Sequence, residues 1–135
     1  MFVVGFPLLL ISIAVYAVIA FLMPGLSWTA PITSVRMISG AEWTMTLSDI
    51  VIAFSLVLLF IEILKATRVG RKAIIDHILS MLVFVLALVG FLLLPQAATS
   101  TFVIIMLICL VDVVAGFSIT IRTAERDWQV ERAEP

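Results

Sequence analysis

Long apolar runs separated by short polar stretches organise this chain. Residues 2–23, 48–66, 73–94 and 101–121 are predominantly apolar. Each is about as long as a helix needs to cross roughly 30 Å of hydrocarbon at about 1.5 Å per residue. They predict four transmembrane helices. The first run carries no charge. It lacks the basic head and short apolar core of a cleaved signal peptide, so it is expected to remain as a helix. Ser12, Tyr16 and Ala20 recur every four residues, a packing face toward other helices. Pro7 falls in the second turn, where it would bend the helix, and Pro24-Gly25 ends it.

The segment 26–47 has another pattern. Turn residues and alternating Trp, Thr and Met predict extended chain. Arg36 to Trp43 reads as a β-hairpin tip with the loop Ile38-Ser39-Gly40, Gly40 taking the left-handed position. That register sets Arg36 opposite Glu42 and Val35 opposite Trp43, and gathers Met37, Trp43 and Met45 on one apolar face. A lone hairpin is marginal in water. This face is therefore expected to rest on the helix ends or in the headgroup layer, where Trp28 and Trp43 are at home. The tip, with Arg36, Gly40, Glu42 and Trp43, is either a docking edge or a structural cap.

Thr46 or Ser48 can cap the second helix, with Asp49 at the positive end of its dipole. Near the helix's end, Glu62 and Lys65 form an i,i+3 pair. Gly70 stops the helix, and 67–71 is the connecting turn. The third helix begins near Arg71–Ala73 and carries His77, Ser80 or Met81, Phe84, Ala87 or Leu88, and Phe91 along one stripe. Pro95 ends it. Thr99, Ser100 or Thr101 can cap the fourth helix, which forms an antiparallel hairpin with the third. The tail 122–135 mixes charge signs and continues that helix briefly into water.

Composition narrows the class. The chain is 64% hydrophobic and 13% charged, too little polar surface to cover a water-facing domain. A net charge of −1 gives no basic field for nucleic acid. The single cysteine, Cys109, cannot form an intrachain disulfide. No phosphate loop, nucleophile elbow or metal-ligand spacing occurs, so no enzyme, cofactor or metal is expected. Four of the eight Lys/Arg residues, Lys65, Arg68, Arg71 and Lys72, fall in the connection between helices 2 and 3, and three more in the tail. The positive-inside bias then makes that connection and both termini cytoplasmic, and the hairpin extracytoplasmic. Arg68, Arg71 and Lys72 are candidate contacts for lipid headgroups.

Interfacial position does not explain Asp112, near the middle of helix 4. Its insertion costs about 2.5–3.5 kcal/mol, against roughly −4 to −8 kcal/mol from the thirteen Leu, Ile, Val and Phe residues of the same span. The helix inserts, and Asp112 should face the bundle interior or a subunit contact. Ser80, Ser55 and Tyr16 are its candidate partners. Glu62, Asp76 and His77 form a second candidate cluster at the inner interface, with Glu62 and His77 about 9 Å from Asp112 by the rise per residue. Asp112 is either a coupling carboxylate or ligand anchor, or an interhelical hydrogen bonder that holds the bundle. With no second mid-membrane charge, the structural role is the default.

The expected fold is an all-α integral membrane protein, a four-transmembrane-helix bundle with a short extracytoplasmic β-hairpin between helices 1 and 2. A bacterial inner membrane is the expected location. The leading functional expectation is a non-enzymatic accessory, scaffold or assembly factor in the lipid bilayer. It would meet a protein partner or a second copy through helix faces or the hairpin. The alternative is a small oligomeric transporter or channel using Asp112.

Overall fold

A computed structural model of the chain describes residues 7–67 and 71–133. Four helices and one two-stranded sheet are present among them: α1 Leu9–Leu22, β1 Pro31–Arg36, β2 Glu42–Thr46, α2 Leu47–Ala66, α3 Arg71–Leu93 and α4 Ser100–Ala133. A 3-10 turn, Pro95–Ala97, joins α3 to α4. Helices α2, α3 and α4 are each long and apolar enough to cross a membrane. Their outward faces are lined with exposed Leu, Ile, Val and Phe, the surface that hydrocarbon covers.

The first helix differs from its expectation. As described it has 14 residues, about 21 Å, and starts after Pro7 rather than running through it. Residues 2–6 of the expected span lie outside the described residues. Its packing face is the expected one, since Ser12 and Tyr16 are buried. The last helix is longer than expected. It continues as one 34-residue helix through most of the polar tail.

The helix starts are set by local chemistry. Thr46 accepts from the Asp49 amide while the Asp49 carboxylate accepts from the Thr46 amide, a complete capping box at α2. The Thr99 hydroxyl accepts from the Phe102 amide at α4. The Gly70 stop lies outside the described residues.

The hairpin has the expected register: Arg36 pairs with Glu42 and Val35 with Trp43. Gly40 is left-handed at φ +92°, and the Met37 amide donates to the Ala41 carbonyl across the turn. Of its two expected supports, the helix ends and the headgroup layer, the first does not serve. Every residue of β1 is exposed, and so are Met37 and Trp43, so the apolar face does not rest on the helix ends. Only the base is fixed, where the Leu47 and Ser48 amides donate to the Ala30 and Trp28 carbonyls. Trp28 itself turns inward and stacks on Tyr16, with ring centroids 4.5 Å apart.

Helix α4 packs between α2 and α3, which touch each other little, through Lys65 and Asp76 among others, and α1 lies mainly on α2. α2 and α4 run parallel. A hydroxyl contact of 2.7 Å between Ser48 and Thr101 aligns their first turns. This is the hairpin end of the bundle; α2 finishes and α3 begins at the opposite, loop end. The apolar core, including Tyr16, Val51, Val83, Phe102 and Ile105, fills the half toward the hairpin end.

Candidate functional site

The buried stripe of α2 decides the site. Val51, Ser55, Leu58, Glu62 and Lys65 follow at alternating spacings of four and three, so they share one face, and all five are buried. Glu62 and Lys65 therefore point into the bundle. Their pair is present at 3.1 Å, but it is not an interfacial pair, because Lys65 is only 6% exposed and Glu62 only 2%. The Lys65 ammonium also donates to Asp76 of α3 at 3.4 Å. It thus bridges two carboxylates from two helices. Glu62 accepts a further hydrogen bond, of 2.5 Å, from the Leu8 amide at the start of α1. A carboxylate there suits the positive end of the α1 dipole.

Asp112 belongs to the same cluster. The alignment of Ser48 with Thr101 puts Glu62 fourteen residues and Asp112 eleven residues from the hairpin end. The two levels differ by about 4.5 Å along the helices, not the 9 Å expected from sequence. Asp112 is buried and lies within electrostatic reach of Glu62, Asp76 and Lys65. Ser80 of α3 lies beside it. The Ser80 hydroxyl is buried and closes no hydrogen bond of normal geometry.

His77 completes the group. Its imidazole is buried, within reach of Glu62 and Lys65, and 5.7 Å from the Phe117 ring. It occupies the space left by Gly116 on α4, where an added Cβ would stand 2.7 Å from two ring atoms. The small residue one turn beyond Asp112 is thus a seat for His77.

Two expected partners of Asp112 are elsewhere. Ser55 is hydrogen-bonded to Ser12 of α1, and its own hydroxyl donates to the Val51 carbonyl at 2.9 Å. Tyr16 lies toward the hairpin end. Its hydroxyl donates to the Gln96 carbonyl at 3.0 Å and meets the Thr99 hydroxyl at 2.6 Å. The large distance between Tyr16 and the loop end follows from the direction of α1, which starts at Glu62 and ends near the hairpin. The candidate headgroup contact Arg68 lies outside the described residues, as do the side chains of Arg71 and Lys72.

The structure therefore joins Asp112, Ser80, Glu62, Asp76 and His77, which sequence reading divides between two places, and adds Lys65. Among the described side chains, Glu62 and Asp76 share the Lys65 ammonium, the Asp112 carboxyl lies within electrostatic reach of all three, and the His77 imidazole within reach of Glu62 and Lys65. With both bases charged, three ionised acids would still leave a net negative charge in a low-dielectric interior, an expensive state. Protonation of at least one of the three acids removes that charge. No three His, Cys, Asp or Glu side chains among the described residues converge closely enough to hold a metal ion.

No family model, curated protein or solved structure matches the chain.

Proposed function

We propose that the protein is a small, non-enzymatic membrane transporter that couples movement of an ion or solute to proton exchange at Asp112, Glu62 and Asp76. The observation that supports this reading is the cluster itself: three buried acids from three helices, two of them paired with one lysine and the third, Asp112, within electrostatic reach of it. Apolar residues of similar volume would hold such a bundle at least as well as a buried ionic group. Ionisable groups inside a membrane are for that reason functional candidates. The default structural role for Asp112 rested on its being the lone charge at that depth, and it is not alone.

In this proposal α1 completes a fourth span together with residues 2–6. Both termini and the 67–71 connection face the cytoplasm of a bacterial inner membrane. Four helices enclose little room, so the working unit is an oligomer.

Reconstitution of the full chain into liposomes with an interior pH-sensitive dye tests the reading. An imposed proton gradient should collapse faster with the wild type than with Asp112→Asn, at equal incorporation and helix content. Equal rates for wild type, Asp112→Asn and protein-free vesicles, across a panel of ions and solutes, would sink it.

A second reading, the accessory or scaffold protein, is favoured by the hairpin. Its apolar residues Val35, Met37 and Trp43 are exposed and unpacked, as a surface awaiting a partner would be. A stable stoichiometric partner on purification in mild detergent, lost on Trp43→Ser, would support that reading instead.

A further inference from the structure

α1 and α3 face each other across a crevice that the bundle leaves open. It measures about 190 Å³. Small residues make the room: Ala17 on α1 faces Ala87 and Gly90 on α3. A Cβ built on Gly90 meets only a Leu94 methyl at 3.9 Å, so the space before it is free. No charged side chain lines the crevice. One wall runs from Val83 of α3 to Leu94 just past its end, about 16 Å from mid-helix to the hairpin end. That is close to one leaflet's half of a roughly 30 Å hydrocarbon core.

We propose that this crevice is a binding site for one acyl chain of a lipid in the hairpin-end leaflet. Three features select that occupant. The crevice rims, Leu10, Phe21 and Leu86, are exposed and continuous with the outward apolar surface of α3, which hydrocarbon covers. The lining is apolar but for Tyr16, whose hydroxyl is already hydrogen-bonded to Gln96 and Thr99, so an apolar chain desolvates little in entering. The volume exceeds the roughly 150 Å³ of an apolar cavity that admits benzene, so about six to eight chain carbons fit. An unfilled crevice would cost its lining the dispersion contacts that a chain restores. The site depends on membrane placement and not on proton exchange, so it stands apart from the transport reading.

The test uses the wild-type full chain in vesicles of phosphatidylethanolamine and phosphatidylglycerol, doped with a phosphatidylglycerol carrying a mid-chain diazirine. After photolysis, mass spectrometry maps the adducts. Adducts should favour Ala17, Ala87 and Gly90 several-fold over the outward α4 positions Leu107 and Val114. Gly90→Leu, which fills the crevice, should lower crevice labelling several-fold and leave α4 labelling unchanged. Equal labelling of crevice and outward positions overturns the proposal. So does a disulfide-linked dimer of the Ala17→Cys variant with no lipid adduct in the crevice, which assigns it to a second copy. The wild-type comparison is decisive even if Gly90→Leu fails to fold.

Discussion

Gly116→Ala puts one methyl group where the structure has none to spare. The new Cβ would stand 2.7 Å from Cε1 and from Nδ1 of His77. Contacts this short force something to move, and little can. The imidazole is a rigid ring, buried, with Phe117 on one side and the charged cluster within reach on another. Overpacking of this kind costs about 1–3 kcal/mol. Against it stands the helical preference of alanine over glycine, about 1 kcal/mol in a helix interior. The net expectation is a loss of roughly 0–2 kcal/mol. The sign alone does not separate the two effects, but a double-mutant cycle does. In a His77→Ala background the clash is gone, and Gly116→Ala should stabilise by about 1 kcal/mol. The coupling energy is then about 1–3 kcal/mol. Reversible unfolding in mixed micelles, followed by circular dichroism, measures all four corners. A coupling energy indistinguishable from zero would refute the seating of His77 on Gly116, and with it the close approach of α3 and α4 at the cluster.

Two further substitutions test the surroundings. Lys65→Met leaves Glu62 and Asp76 buried without their shared cation and should destabilise by about 3–5 kcal/mol; adding Glu62→Gln and Asp76→Asn should recover most of the loss in the same unfolding assay. Ser12→Ala should cost about 0.6 kcal/mol, up to about 1.7, the range of interhelical hydrogen bonds in membranes; Ser55→Ala, which also gives up its bond to the Val51 carbonyl, should cost at least as much, and the double variant little more than Ser55→Ala alone, since the Ser12–Ser55 bond is lost only once.

Helix number, the hairpin register and the capping residues were legible because each rests on local chemistry. A run of some twenty apolar residues, a glycine at a left-handed turn and a Thr-x-x-Asp box carry their meaning within a few positions. The composition of the candidate site was less legible. Asp112 stood out by its cost, but its neighbours depend on how helices align, and no short-range signal sets that alignment. Ser48 and Thr101, 53 residues apart, fix it through one hydroxyl contact. Lys65 was missed for a different reason. Its spacing from Glu62 suggests a solvated pair, whereas its spacing from Val51, Ser55 and Leu58 places it on the buried face. Periodicity over the whole helix outweighs the pair, and reading it first would have turned both charges inward. The resting place of the hairpin could not be read at all, because an apolar face does not say what covers it.

The arrangement around Asp112 constrains how proton exchange could work there. Toward the hairpin end the interior is closed by Val51, Leu58, Ile105 and Ile108, all buried. The Ser12–Ser55 pair in that layer is already committed. Ser55 donates to the Val51 carbonyl, so Ser12 must be the donor to Ser55, and neither hydroxyl is left to relay a proton. Exchange with water is therefore shortest from the loop end, past Glu62, Asp76 and His77. Release toward the hairpin end would require the layer to part. α1 is the element best placed to part it: it meets α3 across a crevice, and its Leu8 amide is held by the Glu62 carboxylate. The charge of Glu62 and the position of α1 are then linked. Loss of the carboxylate charge weakens the hold on α1, whereas loss of the Ser12–Ser55 bond only loosens its middle. Under the transport reading, Glu62→Gln changes flux and stability together, and Ser55→Ala changes stability alone.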